Sequence, residues 1–231
     1  MPTQEGFNHF DLMLWLAGLG VTLSVFVVSS VFGCLLGTLM AIGRYYQVAV
    51  LGPLLFAIGE ILRNSPVIVQ LFLVYFGIPM FFGIRITQFE AAILVLTANT
   101  AAFMSVVGLS ALESVDREQV LTARSFALNE IDILRRILAP QALIVALPLT
   151  IGVLVNQAQV TSLISVIGVA DLTRVGHILN QKTFEPFIVW PLIGATYLAI
   201  SLGISALGKH LHNRIKKSGP WINQRESFAF D

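Results

Sequence analysis

Charge is what this chain has least of. Asp, Glu, Lys and Arg make up 12% of its 231 residues, half of the roughly 25% usual in soluble domains. In their place 56% of residues are hydrophobic and the mean hydropathy is +0.82. That balance excludes an ordinary soluble enzyme and places the chain in a bilayer. No run of basic residues resembles a nucleic-acid-binding patch, so no nucleic-acid partner is expected. Cysteine is nearly missing: Cys34 stands alone inside an apolar run. It can form no internal disulfide and reads as a small buried hydrophobe. The four histidines, His9, His177, His210 and His212, are scattered, and with one Cys they make no metal signature. No serine sits in a G-x-S-x-G elbow. The chain is therefore expected to be no enzyme and to hold no cofactor. Lys and Arg are absent before Arg44. A cleavable secretory signal opens on a basic segment, so the first apolar run is expected to be retained.

One motif misleads. Gly203-Ile-Ser-Ala-Leu-Gly-Lys-His210 nearly spells a phosphate-binding loop, but His replaces the metal-binding hydroxyl, and the match ends an apolar span with no strand before it. Any ATP used by this protein is expected to be hydrolysed by another chain.

What the sequence does hold is apolar runs of membrane-crossing length, about 20 residues each. Five spans are expected: about Gly20 to Ile42, Pro53 to Phe82, Phe89 to Leu112, Ile137 to Val155 and Phe187 to Leu207. The partly amphipathic stretch Phe10 to Gly18 is expected to lie in the membrane interface ahead of the first. Length and pattern suggest a single all-α transmembrane domain over residues 1–231, without internal repeats. Arg44, Arg117, Arg124, Arg135, Arg136, Lys209, Arg214, Lys216, Lys217 and Arg225 fall on one side if the N-terminus is outside and the C-terminus inside. The positive-inside rule favours that arrangement. Arg85, Arg174 and Lys182 then lie outside, where the polar segment Gly168 to Pro186 is expected to form a short helix over the outer face. The polar tail after Lys217 is expected to lie loosely at the surface.

Polarity inside the spans marks candidate sites. Glu60 and Arg63 are three apart and share a helix face. They read either as the wall of a translocation path or as a neutralised structural pair. Asn64-Ser65-Pro66 breaks the second span, because Pro66 lacks an N–H donor and disfavours helical geometry at Ser65. Asn99 and Thr100 form a second polar cluster; Asn156, Gln157, Gln159, Thr161 and Ser162 form a third. Each residue taken singly can be a helix–helix hydrogen bond, but the last cluster as a whole is expected to line a cavity. Between the third and fourth spans runs Glu118 to Pro140, EQVLTARSFALNEIDILRRILAP. It reads as a short surface helix on the inner face, then a turn, then the entry to the next span.

These residues resemble the permease subunits of ABC importers for polar amino acids, the histidine/glutamine/arginine/opine group, from about Gly20 to Arg214. Glu60-Ile-Leu-Arg-Asn-Ser-Pro-Val-Ile-Val-Gln-Leu-Phe-Leu-Val-Tyr-Phe-Gly-Ile-Pro79 is similar to the family's E-x-x-R-G-T-P-L-L-V-Q-L-F-x-x-Y-F-G-L-P. Asn99-Thr-Ala-Ala-Phe103, Thr161-Ser-Leu-Ile-Ser-Val-Ile167 and Phe184-Glu-Pro-Phe187 also fit its pattern. The resemblance implies a type I importer permease fold, a coupling-helix loop at about 114–136, and a multi-pass protein of the bacterial inner membrane. The implied partners are a second permease subunit, two ATP-binding subunits that hold the ATP and Mg, an extracytoplasmic amino-acid-binding protein, and membrane lipid. ATPase docking is carried over to Thr122, Ala123, Arg124, Ser125, Ala127, Leu128 and Pro140. The substrate path is carried over to Arg63, Asn99, Thr100, Gln157, Gln159, Thr161 and Ser162.

The chain departs from the family's E-A-A-x-x-x-G loop signature. Leu121 stands for the acid and Ala127 for the glycine. An acid and a base frequent after the N-T-A-A-F stretch are replaced by Val106 and Leu109, and Gln159 stands where relatives often have Lys. These changes favour neutral or acidic cargo over arginine or lysine. They fit equally a scaffold or regulatory half of a heterodimeric permease, whose partner binds the substrate.

Overall fold

The structure, a computed structural model, describes residues 9–49 and 51–218. The tail with Pro220, Trp221 and Arg225 lies outside the described residues. Helices α1 (His9–Tyr45) and α2 (Leu51–Asn64) are followed by α3 (Val67–Phe82) and α4 (Gln88–Glu113). Then come α5 (Arg117–Ser125), α6 (Glu130–Ile167), α7 (Leu172–Thr183) and α8 (Pro186–Ser218). The described residues contain no strand. Four helices, α1, α4, α6 and α8, are each long and apolar enough to cross a membrane, and α2 with α3 passes as one span bent by 108°. The five expected spans are all present, and the bend falls at the Asn64-Ser65-Pro66 break.

Small residues set the central contact. α1 and α4 run parallel, and a Cβ added at Gly33 or Gly37 would stand 2.5 Å from Thr100 Cβ or Met104 Cβ. Further along, one added at Gly108 would meet Ala41 Cβ at 2.7 Å. Hydrophobicity does not draw helices together inside lipid, so close backbone approach of this kind holds the pair. Arg44, in the last turn of α1, donates to Ser105 Oγ of α4 at 3.3 Å and lies 5.3 Å over the Phe56 ring of α2. That ties three helices at the basic end of the bundle.

Two prolines reshape their helices. An α-helical proline cannot donate to the carbonyl four residues back, and its ring clashes with it. Before Pro79 and before Pro140 the chain instead takes a π turn, Leu73–Gly77 and Leu134–Leu138. Ile78 N–H then bonds Leu73 O, and Ala139 N–H bonds Leu134 O. The wider turn moves the obstructed carbonyl aside.

Phe10 to Gly18 is continuous with the first span, as the start of α1. At about 1.5 Å per residue this 37-residue helix is about 55 Å long, far more than a bilayer core. Its first turns pack on α7 and α8 through Leu14, Trp15 and Leu19 against Leu172, Val175, Leu179, Val189 and Ile193. Lys182 of α7 donates to both carboxylate oxygens of the buried Asp11, at 2.9 and 3.0 Å. Asp171 caps α7 by accepting from Thr173 N–H and Arg174 N–H, and also accepts from Tyr197 Oη of α8. Burial pushes the Asp171 carboxyl above its ordinary range, against the pull of these hydrogen bonds. The segment Gly168 to Pro186 thus contains a helix, α7 (Leu172–Thr183), clamped to both neighbours.

Candidate functional site: the broken helix and the basic-face loop

Pro66 leaves the Leu62 carbonyl without its helical donor. Gln70 replaces that donor from the first turns of α3. Its Nε2 donates to Leu62 O at 2.8 Å, Ser65 Oγ at 2.9 Å and Ser65 O at 3.2 Å. Asn99 Nδ2 of α4 adds a longer bond to Leu62 O, 3.4 Å. Non-helical backbone at this depth must be satisfied by protein or face water, and here two amide side chains satisfy it. Gln70→Leu is expected to lower stability by about 1 kcal/mol, because it removes the shorter bond to Leu62 O and both bonds to Ser65 while Asn99 still donates to Leu62 O. Thermal unfolding in detergent, with Gln70→Glu as a second variant, measures it; unchanged stability in Gln70→Leu would remove Gln70 from this role.

The expected path residues divide. Gln157 is 2% exposed, and its Nε2 donates to Ser29 Oγ of α1 at 3.1 Å and Leu96 O of α4 at 3.2 Å. Thr161 is fully buried and donates to Ala158 O, while Thr100 is buried against Gly33. With Asn99 bound to Leu62 O, these four are enclosed by their own chain. Asn99 and Gln157 are turned into the bundle, where bonds to neighbouring helices satisfy their amides, whereas Thr161 bonds within its own helix and the buried Thr100 hydroxyl has no hydrogen-bond partner among the described residues. Gln159 is exposed, and Ser162 is partly exposed with its Oγ donating to Gln159 O at 2.7 Å. Arg63 pairs with Glu60 one turn away, and Asn64 Nδ2 donates to the same carboxylate at 2.9 Å. Arg63, Gln159 and Ser162 are the expected path residues that keep an open side.

At the basic end, Asp116 caps α5 by accepting from Glu118 N–H at 2.9 Å. α5 ends in a left-handed turn: Ala127 has φ +57°, Ala127 N–H bonds Arg124 O, and Leu128 N–H bonds Ala123 O. This is the conformation glycine adopts without a Cβ penalty, which accounts for the glycine of the family signature. Ala127→Gly is expected to stabilise the protein by about 1 kcal/mol by relieving that strain. A rise of a few degrees in melting temperature checks it, and a fall would show that the alanine methyl is needed.

α5 has two faces. Val120 and Ala123 are 7% and 4% exposed and pack with Leu112, Val115, Ile133, Leu138 and Ala142. Ala123 therefore faces its own subunit, not outward as expected of a docking residue. Pro140 lies inside α6, where it shapes the π turn, and is no part of the loop surface. Thr122, Ser125, Ala127 and Leu128 are exposed. Arg124 is half-exposed, but its guanidinium is engaged by Glu130, with Nε to Oε1 at 2.8 Å and Nη2 to Oε2 at 3.2 Å. Phe126, outside the expected docking set, is 79% exposed, and Leu121, on another side of α5, is 60% exposed. Two bare apolar side chains on a charged loop were the signal. A cleft of about 560 Å³ beside Phe126 is lined by Asp116, Glu118, Thr122, Leu128 and Arg136.

Long apolar helices, one broken span and a short capped helix on the basic face define a multi-pass, all-helical membrane domain. Residues 33–217 match the family described as "Binding-protein-dependent transport system inner membrane component", and the chain belongs to it. It is similar to the L-cystine transport system permease protein TcyL of Bacillus subtilis, 30% identical over 208 residues, 87% of each chain. It is also similar to the arginine transport system permease protein ArtQ of the same organism, 27% identical, covering 88% of this chain and 93% of that one. The glutamine transport system permease protein GlnP of Escherichia coli is 28% identical, with 88% and 93% covered. Among solved structures, an amino acid ABC transporter with histidines superposes with a TM-score of 0.80 at 28% identity, over 88% of this chain and 94% of that one. The inward-facing MetNI methionine ABC transporter matches at 0.78 and 21% identity, over 90% and 99%, a likeness of fold. The fold is that of type I ABC importer permeases.

Proposed function

We propose that the chain is the translocating subunit of an ATP-driven amino-acid importer in a bacterial inner membrane, with its N-terminus outside and its C-terminus inside. On this reading α5 and the turn after it dock on an ATP-binding subunit. The observation that carries the docking assignment is Phe126 and Leu121, apolar and exposed on a polar loop of the basic face. Aromatic side chains are enriched in the buried centres of protein interfaces. The assembly holds a second permease subunit, two ATP-binding subunits carrying ATP and Mg, and an extracytoplasmic amino-acid-binding protein. Movement of the docked loops rocks the spans between inward-open and outward-open states. Relatives named for arginine, cystine and glutamine transport support an amino acid as cargo. Arg63, Gln159 and Ser162 face the path.

A gentle detergent pull-down of the tagged chain from its native host, with mass spectrometry of what accompanies it, tests this. An ATP-binding subunit is expected in near-equal amount, and its absence would sink the importer reading. One observation favours a second reading, the non-substrate-binding half of a heterodimer. Asn99, Thr100, Gln157 and Thr161 are all absorbed by their own subunit, leaving few polar groups for cargo. A second permease of similar length in the pull-down, together with undiminished transport by Gln159→Ala, is the result that reading requires.

A further inference from the structure

Arg124 is one of the residues carried over as docking from the family resemblance, and its fork closes on its own subunit. Nε and Nη2 bond the two carboxylate oxygens of Glu130 at 2.8 and 3.2 Å. Glu130 is the first residue of α6, immediately after the N-cap Asn129, whose side chain accepts from Asp132 N–H at 2.8 Å. The Glu130 carbonyl accepts in turn from Tyr46 Oη, just past the end of α1, at 3.2 Å. One residue thus joins α5, the start of α6 and the end of α1. Beneath it, Val120 and Ala123 of α5 pack on Ile133 and Leu138 of α6, both fully buried. The π turn Leu134–Leu138 follows directly, and beyond it runs the spanning part of α6.

We propose that the Arg124–Glu130 pair is a transmission brace: it locks the docking helix to α6, so that a push on α5 moves the spanning helix instead of tilting α5 alone, and Arg124 is a positioning residue and not a contact with the ATP-binding subunit. The proposal rests on the docking role of α5 given above. A half-exposed ion pair adds little to stability, so the fold does not need this one. A bidentate guanidinium–carboxylate pair does fix relative orientation, because two parallel hydrogen bonds leave no swivel between the planes. Coupling between sites can be carried by packed side chains and ion pairs that join rigid helices.

The test compares four versions of the chain, each expressed with its ATP-binding subunit, partner permease and binding protein and reconstituted in proteoliposomes. They are wild type, Arg124→Ala, Glu130→Ala and the charge swap Arg124→Glu with Glu130→Arg. Uptake of labelled L-glutamine, L-arginine and L-cystine is measured beside ATP hydrolysis, and the readout is uptake per ATP. Both single variants are expected to lose about tenfold in that ratio, within the range of site-to-site couplings. Their melting temperatures and the amount of bound ATP-binding subunit should stay at the wild-type level. The swap is expected to restore most of the ratio, as a direct pair requires. Wild-type coupling in Glu130→Ala, or a swap worse than either single variant, overturns the brace and gives Arg124 to the partner. Failure of the importer reading has a different mark: no ATP-binding subunit accompanies the wild-type chain, and the brace then falls with it.

Discussion

Replacing Gly37 with valine should break the α1–α4 pair and with it the fold. A Cβ at this position would stand 2.5 Å from Met104 Cβ, 2.6 Å from Ala101 O and 3.1 Å from Ala101 Cα. Two of those three atoms are backbone and cannot rotate away. Carbon atoms in contact sit about 3.5–4.0 Å apart, so the helices must separate by about 1 Å. The separation would spread along the seam, because Gly33 against Thr100 and Gly108 against Ala41 are equally close. Overpacking costs about 1–3 kcal/mol where side chains can yield, and here the obstruction is rigid. For a chain of this length each kcal/mol lowers the melting temperature by about 2–4 °C, so a fall of about 10 °C or outright loss of a monodisperse protein is expected. Gly20→Val is the control, since nothing lies within 4 Å of a Cβ there. Equal thermal unfolding of the two variants in detergent would show that the seam does not hold the bundle.

That seam was not read from the sequence, although Gly33 and Gly37 stand four apart and so share a helix face. The count of spans and the break in the second were legible, because hydropathy over 20 residues and a proline's missing donor act locally. Direction was not. Polarity alone does not say whether an amide faces a cavity or a neighbouring carbonyl. Yet Gln157 and Gln159 are two apart, about 200° around a helix, so one shared lining face was never open to both. The structure turns Gln157 inward to Ser29 and leaves Gln159 out. The same periodicity separates Val120 and Ala123, buried in α5, from Thr122 and Ser125, while Phe126, three residues after Ala123, is bared because the helix ends there. The family signature leaves position 126 open, so it carries no expectation for Phe126. The left-handed Ala127 shows what the signature glycine is for, which only the backbone angle reveals.

Phe126→Asp should abolish association with the ATP-binding subunit and leave the membrane domain folded. At 79% exposure the ring has little packing to lose within its own chain, so melting in detergent should stay within a degree or two of wild type. At an interface the same substitution removes an apolar anchor and sets a carboxylate against whatever pocket received it. Losing a central anchor costs about 2–4 kcal/mol, and each 1.4 kcal/mol is tenfold in affinity, so binding should weaken by about 30- to 1000-fold. Phe126→Leu, which keeps an apolar side chain at this position, should retain binding. Ser125→Ala is neutral on this account, because its hydroxyl is already bonded to Leu121 O at 3.0 Å within α5. Full recovery of the ATP-binding subunit with Phe126→Asp would move the docking surface away from this turn. It would leave the ring as an anchor in the membrane interface, where aromatic side chains also collect. The two roles separate in one further measurement: an interface anchor changes the tilt of α5 in a bilayer without touching ATP hydrolysis, whereas a docking anchor silences hydrolysis coupling in detergent and bilayer alike.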